Sequence, residues 1–367
     1  MFPPGGVPHI EVSGQLVAVK ITGLPPLGSD DRRRIAEELI AGNQQALTAL
    51  RDQGSCDVSY SLPGQCRFRV NIFMQRGSHA IVMRVIPQTI PTFAELKLPQ
   101  QLAEIANLKN GIVLITGPTG SGKSSTMAAV LDRINETKAY HIITIEDPVE
   151  FLHRHKRSII HQRELHSDTP SFALALRAAL RQAPKVILVG EMRHKETIEI
   201  ALEAAETGHL VLSTLHTIDA SKTIERVVGV FPMAEQHVIR NRVAKSFRYI
   251  VSQRLLPARD GKSRVAALEI LMSTLRTREY IEKGDQEGKT LLDAMRDGDT
   301  EGMQHFDGSI EQLIRAGTIE LETGLAYATN PGNLRLQLAD IAGEPPPEET
   351  KPLPSQKSER EAELVIE

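Results

Sequence analysis

A chain of 367 residues with a formal charge of −3 is long enough for two or three domains, and it carries no overall basic field that would argue for nucleic acid. No segment is long and apolar enough to span a membrane, and MFPPGGVPHI lacks the basic start and apolar core of a signal peptide. Two cysteines, Cys56 and Cys66, read as free small hydrophobes of a reducing compartment, and twelve histidines without a CxxC or HExxH frame predict no structural zinc. The pairs His153/His155 and His161/His166 read as surface residues.

In chain order, residues 10–21 read as two strands around Ser13-Gly14, closed by Pro25-Pro26. Ser29 or Asp30 can cap a helix running to Ala41, with Ile35, Leu39 and Ile40 on its buried face. Cys66 to Phe73 alternates strictly: Phe68, Val70 and Ile72 face one way, Arg67, Arg69 and Asn71 the other. A turn at Arg76-Gly77-Ser78 leads to a second strand, Ala80 to Ile86. Residues 1–86 therefore read as a small α+β domain, and 87–101, extended around Pro87 and Pro91, as its linker. Arginines on an open strand face are either solvated and ion-paired or aimed at another subunit.

The stretch GIVLITGPTGSGKSST organises the remainder. Ile112 to Ile115 is a short β-branched run, the mark of a buried parallel strand. Gly117, Pro118, Thr119, Gly120, Ser121, Gly122, Lys123, Ser124 and Ser125 follow with the complete P-loop spacing. Backbone N–H groups and the positive end of the next helix can cradle phosphates there. Lys123 would reach the β/γ-phosphates of ATP, and the Ser124 hydroxyl would hold Mg²⁺. Met127, Val130, Leu131 and Ile134 then recur at helical spacing.

Ile142 to Ile145 reads as a strand delivering Glu146, Asp147 and Glu150 to its carboxyl end, where open α/β sheets bind ligands. A helix is expected over 171–182, begun by Asp168-Thr169-Pro170. Val186 to Val189 is a strand ending in Gly190-Glu191, a Walker B pattern that carries a carboxylate toward Mg²⁺. A helix over 196–207 stops at Gly208, and HLVLSTLHT is a further buried strand with His209 before it and His216 after it. The alternation of strands and helices predicts a parallel sheet wound right-handedly. Ala234 to Leu256 reads as one long amphipathic helix, Ala266 to Met272 as a strand, and helices run on to about Asp340. Residues 343–367 are rich in proline and charge, a composition that predicts disorder.

GPTGSGKSS, ITIEDPVEF, ILVGEMR and TGHLVLSTLHT occur in this order and spacing, and together they closely resemble the PilT/PilU-type retraction motors of type IV pili, within the secretion ATPase superfamily. The resemblance spans roughly residues 10–340. It implies a PAS-like N-terminal domain before a RecA-like P-loop ATPase domain over 102–342, a homo-hexameric ring, and ATP hydrolysis at the cytoplasmic face of the inner membrane. An inner-membrane pilus platform protein and related pilus ATPases are the implied partners. By the same resemblance Glu150 matches the catalytic glutamate, Glu146 and Asp147 its acidic box, and Glu191 the Walker B carboxylate. His216, together with His209, matches the histidine box, and Arg69 and Arg84 match arginines that approach a neighbour's nucleotide.

The chain departs from the family in several places. The family's first helix has no counterpart before Met1, so either the N-terminal domain is trimmed there or the start codon is misassigned. Gln182-Ala183-Pro184-Lys185 replaces acidic residues, His194 replaces an aspartate, and STLRTREYIEKG stands where the retraction signature is expected. An accessory paralogue with weak hydrolysis is therefore the second reading, and a nucleic-acid translocase the third.

Overall fold

The computed structural model describes residues 1–3, 6–12, 15–19, 25–63, 65–284 and 286–342, with the side chains of 341 and 342 excepted. The Ser13-Gly14 turn and residues 343–367 lie outside the described residues. Strands β1 (His9–Val12) and β2 (Gln15–Ala18) pair antiparallel. Helix α1 (Ser29–Ile40) starts after Gly28, whose N–H donates to the Asp31 carboxylate at 2.9 Å. Helix α2 (Gln44–Gln53) is capped by Asn43, whose side chain accepts from the Ala46 N–H, and ends at Gly54. Strands β3 (Ser55–Leu62), β4 (Cys66–Gln75) and β5 (Ser78–Ile86) form an antiparallel sheet in that order. The alternation in β4 is realised: Val70 and Ile72 are fully buried against Ala36, Leu39 and Ile40 of α1, while Arg69 on the other face is exposed. Residues 44–62 have weak periodicity, because polar residues interrupt each apolar face, so α2 and β3 emerge only in the structure.

The large sheet is built from β6 (Gly111–Thr116), α3 (Lys123–Thr137), β7 (His141–Glu146), β8 (Ile159–Glu164), α4 (Phe172–Ala179) and β9 (Val186–Glu191), in chain order. There follow α5 (Lys195–Glu206), β10 (Leu210–Leu215), α6 (Ala220–Gly229), α7 (Met233–Ser246), β11 (Phe247–Pro257) and β12 (Arg264–Met272). Its strand order is β12-β11-β6-β10-β9-β7-β8. Every pairing is parallel except β11 with β12, so the expected all-parallel sheet carries one antiparallel edge strand. Helices cover both faces: Ile112 and Leu114 of β6 join one core cluster, and Val113 and Ile115 join the other. Burial on both sides explains why β6 reads as a continuous apolar run.

The long helix expected over 234–256 is corrected. Helix α7 stops at Ser246, and FRYIVSQRLLP is strand β11, parallel to the P-loop strand β6. Buried on both faces, β11 has no period-2 signal, and its apolar residues fit a helical spacing equally well. Helix α4 is capped by the Ser171 hydroxyl, which accepts from the Leu174 N–H; the expected starters Asp168, Thr169 and Pro170 precede it. Short helices close the described chain: α8 (Leu275–Lys283), α9 (Leu291–Asp297), α10 (Phe306–Arg315), α11 (Leu321–Tyr327), α12 (Pro331–Gln337) and α13 (Ala339–Ala342). Phe306, Ile310 and Ile314 of α10 pack on Leu256, Val265 and Ala267 of β11 and β12. Among the described residues, no helix is long and apolar enough to cross a membrane.

Candidate functional site

The parallel strands bring their carboxyl ends to one edge. β6 leads into the P-loop, its neighbour β10 into His216, β9 into Glu191 and β7 into Glu146. A bulge sits beside Glu191: Ser213 faces Val189 but Thr214 faces Glu191, so Gly190 is the extra residue. The Thr214 hydroxyl donates to the Gly190 carbonyl at 2.7 Å and holds that bulge. Bulges of this kind re-aim the next side chain.

The P-loop backbone demands its glycines. Gly117 has φ +145 and presses against the Gln253 carbonyl of β11; Gly122 has φ +88, and a Cβ there would meet the Gln253 amide at 2.7 Å. Lys123, in the first turn of α3, is buried, and its Nζ donates to the Gly117 carbonyl at 2.9 Å and the Pro118 carbonyl at 3.0 Å. His216 Nδ1 lies 3.4 Å from the same ammonium. Burial pulls the Lys123 pKa below the ordinary lysine value, while the charges of Glu191 and Glu150 pull it back up. Ser121 is buried, and its Oγ has no hydrogen-bond partner. A desolvated ammonium and an orphaned buried hydroxyl inside a glycine cradle fit a phosphate chain. Ser124 and Ser125, partly buried in the first turn of α3, stand at the positive end of that helix.

Four acidic side chains take different environments. The Glu146 carboxylate accepts from Thr144 Oγ1 at 2.6 Å, from Gln162 Nε2 at 3.1 Å and from the Glu150 amide at 3.4 Å. Burial raises its pKa, and those hydrogen bonds work against the rise. Glu150 and Asp147 are exposed beyond it. Glu191 is held at 2.5 Å by Arg193 Nε and lies 3.6 Å from His216 Nε2. An oxygen donor set of Ser124 and Glu191 suits Mg²⁺, a hard cation.

The structure thus brings Lys123, Glu191 and His216 together, with Glu150 near enough for its charge to act on Lys123. His209 is not among them. It precedes β10 and His216 follows it, so the strand rise separates the two by about 23 Å. His209 instead bonds through Nδ1 to the Ala204 carbonyl at 3.0 Å, beside the end of α5. Arg69 and Arg84 also lie away from the P-loop edge, on the three-stranded sheet. They are register partners across β4 and β5, both exposed, and Arg69 Nε comes only within 3.9 Å of Asp57. His155, His161 and His166 are exposed as expected, whereas His153 is partly buried and its pKa drops to about 4, chiefly from desolvation. Gln162 and Gln253 carry no motif, yet one braces Glu146 and the other bonds Thr126 Oγ1 at 2.9 Å behind the loop. Only the pairing of β7 with β8 and of β6 with β11 reveals them.

Fold and site together define a P-loop ATPase of the RecA-like class. Residues 51–318 match the family described as Type II/IV secretion system protein. The twitching motility protein of Neisseria gonorrhoeae is 43% identical over 323 residues, which cover 88% of this chain and 84% of that protein. The type IV pilus retraction ATPase PilT of Pseudomonas aeruginosa is 42% identical, over 89% of this chain and 92% of its own length. The crystal structure of the pilus retraction motor PilT with bound ADP superposes with a TM-score of 0.81 at 41% identity, covering 91% of this chain and 94% of that one. The chain belongs to this family of secretion and pilus retraction ATPases.

Proposed function

We propose that this chain is an ATP-hydrolysing motor that powers type IV pilus retraction and hence twitching motility. The observation that carries the reading is the chain of contacts from Lys123 through His216 to Glu191 around one glycine cradle, with the charge of Glu150 felt at Lys123. Phosphoryl transfer needs positioning and charge stabilisation more than covalent chemistry. The N–H groups of Gly117–Ser125 bind the phosphate chain, and the Lys123 ammonium exchanges its two loop carbonyls for phosphate oxygens. Glu150, exposed at the tip of the acidic segment, orients the attacking water and accepts its proton. Glu146 sits beneath and receives the Glu150 amide, which keeps that loop in place. Ser124 and Glu191 would hold Mg²⁺, which when bound neutralises charge on the β- and γ-phosphates. His216, next to both Lys123 and Glu191, orients the groups around the terminal phosphate.

The functional unit in this reading is a homo-hexamer with residues 1–86 as a PAS-like domain, 87–101 as linker and 102–342 as the motor domain. Arg69 and Arg84 stand directly opposite each other, an arrangement that repels unless an anion lies near. A neighbouring subunit's ATP is that anion. The ring would sit at the cytoplasmic base of the pilus against a membrane platform protein, with related pilus ATPases as further partners. Two assays test the reading: ATP turnover by purified protein, and pilus retraction in a deletion strain complemented with wild type or Glu150→Ala. Wild type should restore retraction and Glu150→Ala should not. A ring that forms without turnover would instead make the chain an accessory component.

A further inference from the structure

We propose that Arg67 and Glu164 are positioning residues for hydrolysis, through which the three-stranded N-terminal sheet sets the loop that carries Glu150. The inference rests on the functional reading above. Glu164 ends β8 and is register partner of Glu146 on β7, so it lies alongside the acidic segment. Its carboxylate is almost fully buried, with only 4% of the side chain exposed. One oxygen, Oε2, accepts two bonds: from the Val149 N–H at 3.1 Å and from Arg67 Nη2 at 3.1 Å. Val149 immediately precedes Glu150, and Arg67 comes from β4, 97 residues earlier in the chain. A single buried oxygen therefore ties the Glu150 loop to the N-terminal sheet.

The energetics favour a contact that works as a latch. A buried carboxylate is tolerated only while charge and hydrogen bonds compensate its lost hydration. Arg67 is the one cation bonded to it among the described residues. The guanidinium is itself held incompletely, because its Nε is buried without a partner. An unmet donor weakens the docked arrangement, so rotation of the sheet can release it. Release would leave Glu164 charged and under-bonded, free to swing toward water and let go of the Val149 amide. Two further side chains of the same N-terminal region, Asn43 and Gln45 at the start of α2, reach His166 just beyond Glu164, at 3.4 and 2.9 Å, so α2 as well as the sheet meets this corner. Arg69 lies two residues from Arg67 on the same face of β4, so one strand addresses both its own Glu150 loop and the space beyond.

The test compares wild type, Arg67→Ala, Arg67→Lys and Arg51→Ala in the full-length chain by steady-state ATP turnover and by hydrogen exchange of the 147–151 segment. Arg51 is an exposed N-terminal arginine paired, among the described residues, only with Asp52, and its variant serves as control. Misplacing a reacting group costs up to ~100-fold, so Arg67→Ala should lower kcat roughly tenfold. KM for ATP should stay within about twofold, since ground-state binding is untouched. The 147–151 amides should exchange faster, and Arg67→Lys, which keeps the charge, should recover most of both. If Arg67→Ala fails to fold, Arg67→Gln, with one amide donor in place of the charge, carries the same comparison. Wild-type kcat with wild-type exchange in the arginine variants would overturn the proposal, as would a raised KM at unchanged kcat. Absence of turnover in wild type would instead remove the functional reading, while the exchange data would still decide whether Arg67 holds the loop.

Discussion

Two sheets in this molecule present charged residues in opposite ways. At the carboxyl edge of the seven-stranded sheet, the buried and half-buried charges are tied to neighbours: Lys123 to two loop carbonyls, Glu146 to Thr144 and Gln162, Glu191 to Arg193. On the outer face of the three-stranded sheet, Arg69 and Arg84 stand side by side, and Asp57 on the other flank of β4 comes only within 3.9 Å of Arg69. The first arrangement is pre-organised within one chain. The second, in the function proposed above, is a half-site completed by an anion from a neighbouring subunit. Catalytic groups gain from fixed geometry because no reorganisation remains at the moment of reaction. Groups that report on a neighbour gain from being left uncompensated.

The largest effect should come from the fixed side. Lys123→Ala removes the buried ammonium from the cradle, and loss of one stabilising donor typically costs ~100- to 1000-fold in kcat. ATP turnover should fall by about that factor while thermal unfolding stays cooperative, because the lysine bonds to loop carbonyls rather than to the apolar core. Normal turnover in this variant would end the distinction between the two sheets. Next, Glu150→Ala should slow hydrolysis by about 100-fold, the usual worth of a positioned base, while equilibrium ATP binding is retained. Equal loss of binding and turnover would show that Glu150 shapes the cradle instead of acting on water.

Legibility in the sequence follows the same division. The placement of Gly117–Ser125, Glu146, Glu191 and His216 is readable because each sits at the end of a short apolar strand, where local pattern alone fixes position in the sheet. His209 is misplaced for the same reason: a motif that spans a whole strand has two ends, and only one reaches the site. Strand β11 hides because burial on both faces erases periodicity. The bulge at Gly190 and the buried Glu164 hide because register and docking across 97 residues create them, and neither has a local signal. The antiparallel strand β12 also lies beyond the simple alternation of strands and helices.

A smaller effect sharpens the account of the fixed side. Glu269 on β12 is buried, and its Oε1 accepts from the Ala220 N–H at 2.8 Å, which anchors the start of α6 shortly after His216. Burial pushes its pKa up to about 7. An unfolded glutamate titrates near ~4.3, so the folded chain holds a proton that the unfolded chain gives up as pH rises. Native stability therefore falls between about pH 4 and pH 7, and the loss is complete above that window. Glu269→Gln keeps an acceptor for Ala220 and removes the ionisation. Its melting temperature relative to wild type should climb by a few degrees between about pH 5 and pH 8. A pH-independent difference would mean that Glu269 stays ionised throughout.

The claim that one catalytic centre is assembled from the two sheets of different subunits is tested by mixing. An Arg69→Ala, Arg84→Ala double variant and a Glu150→Ala variant are each expected to lose turnover without unfolding. Labelled-subunit transfer first establishes that subunits exchange. In mixed rings an intact Glu150 site then faces an intact arginine pair, and a fraction of wild-type ATP turnover should return. Exchange without any recovered turnover would contradict the account, and Arg69 and Arg84 would be a solvated, ion-paired strand face.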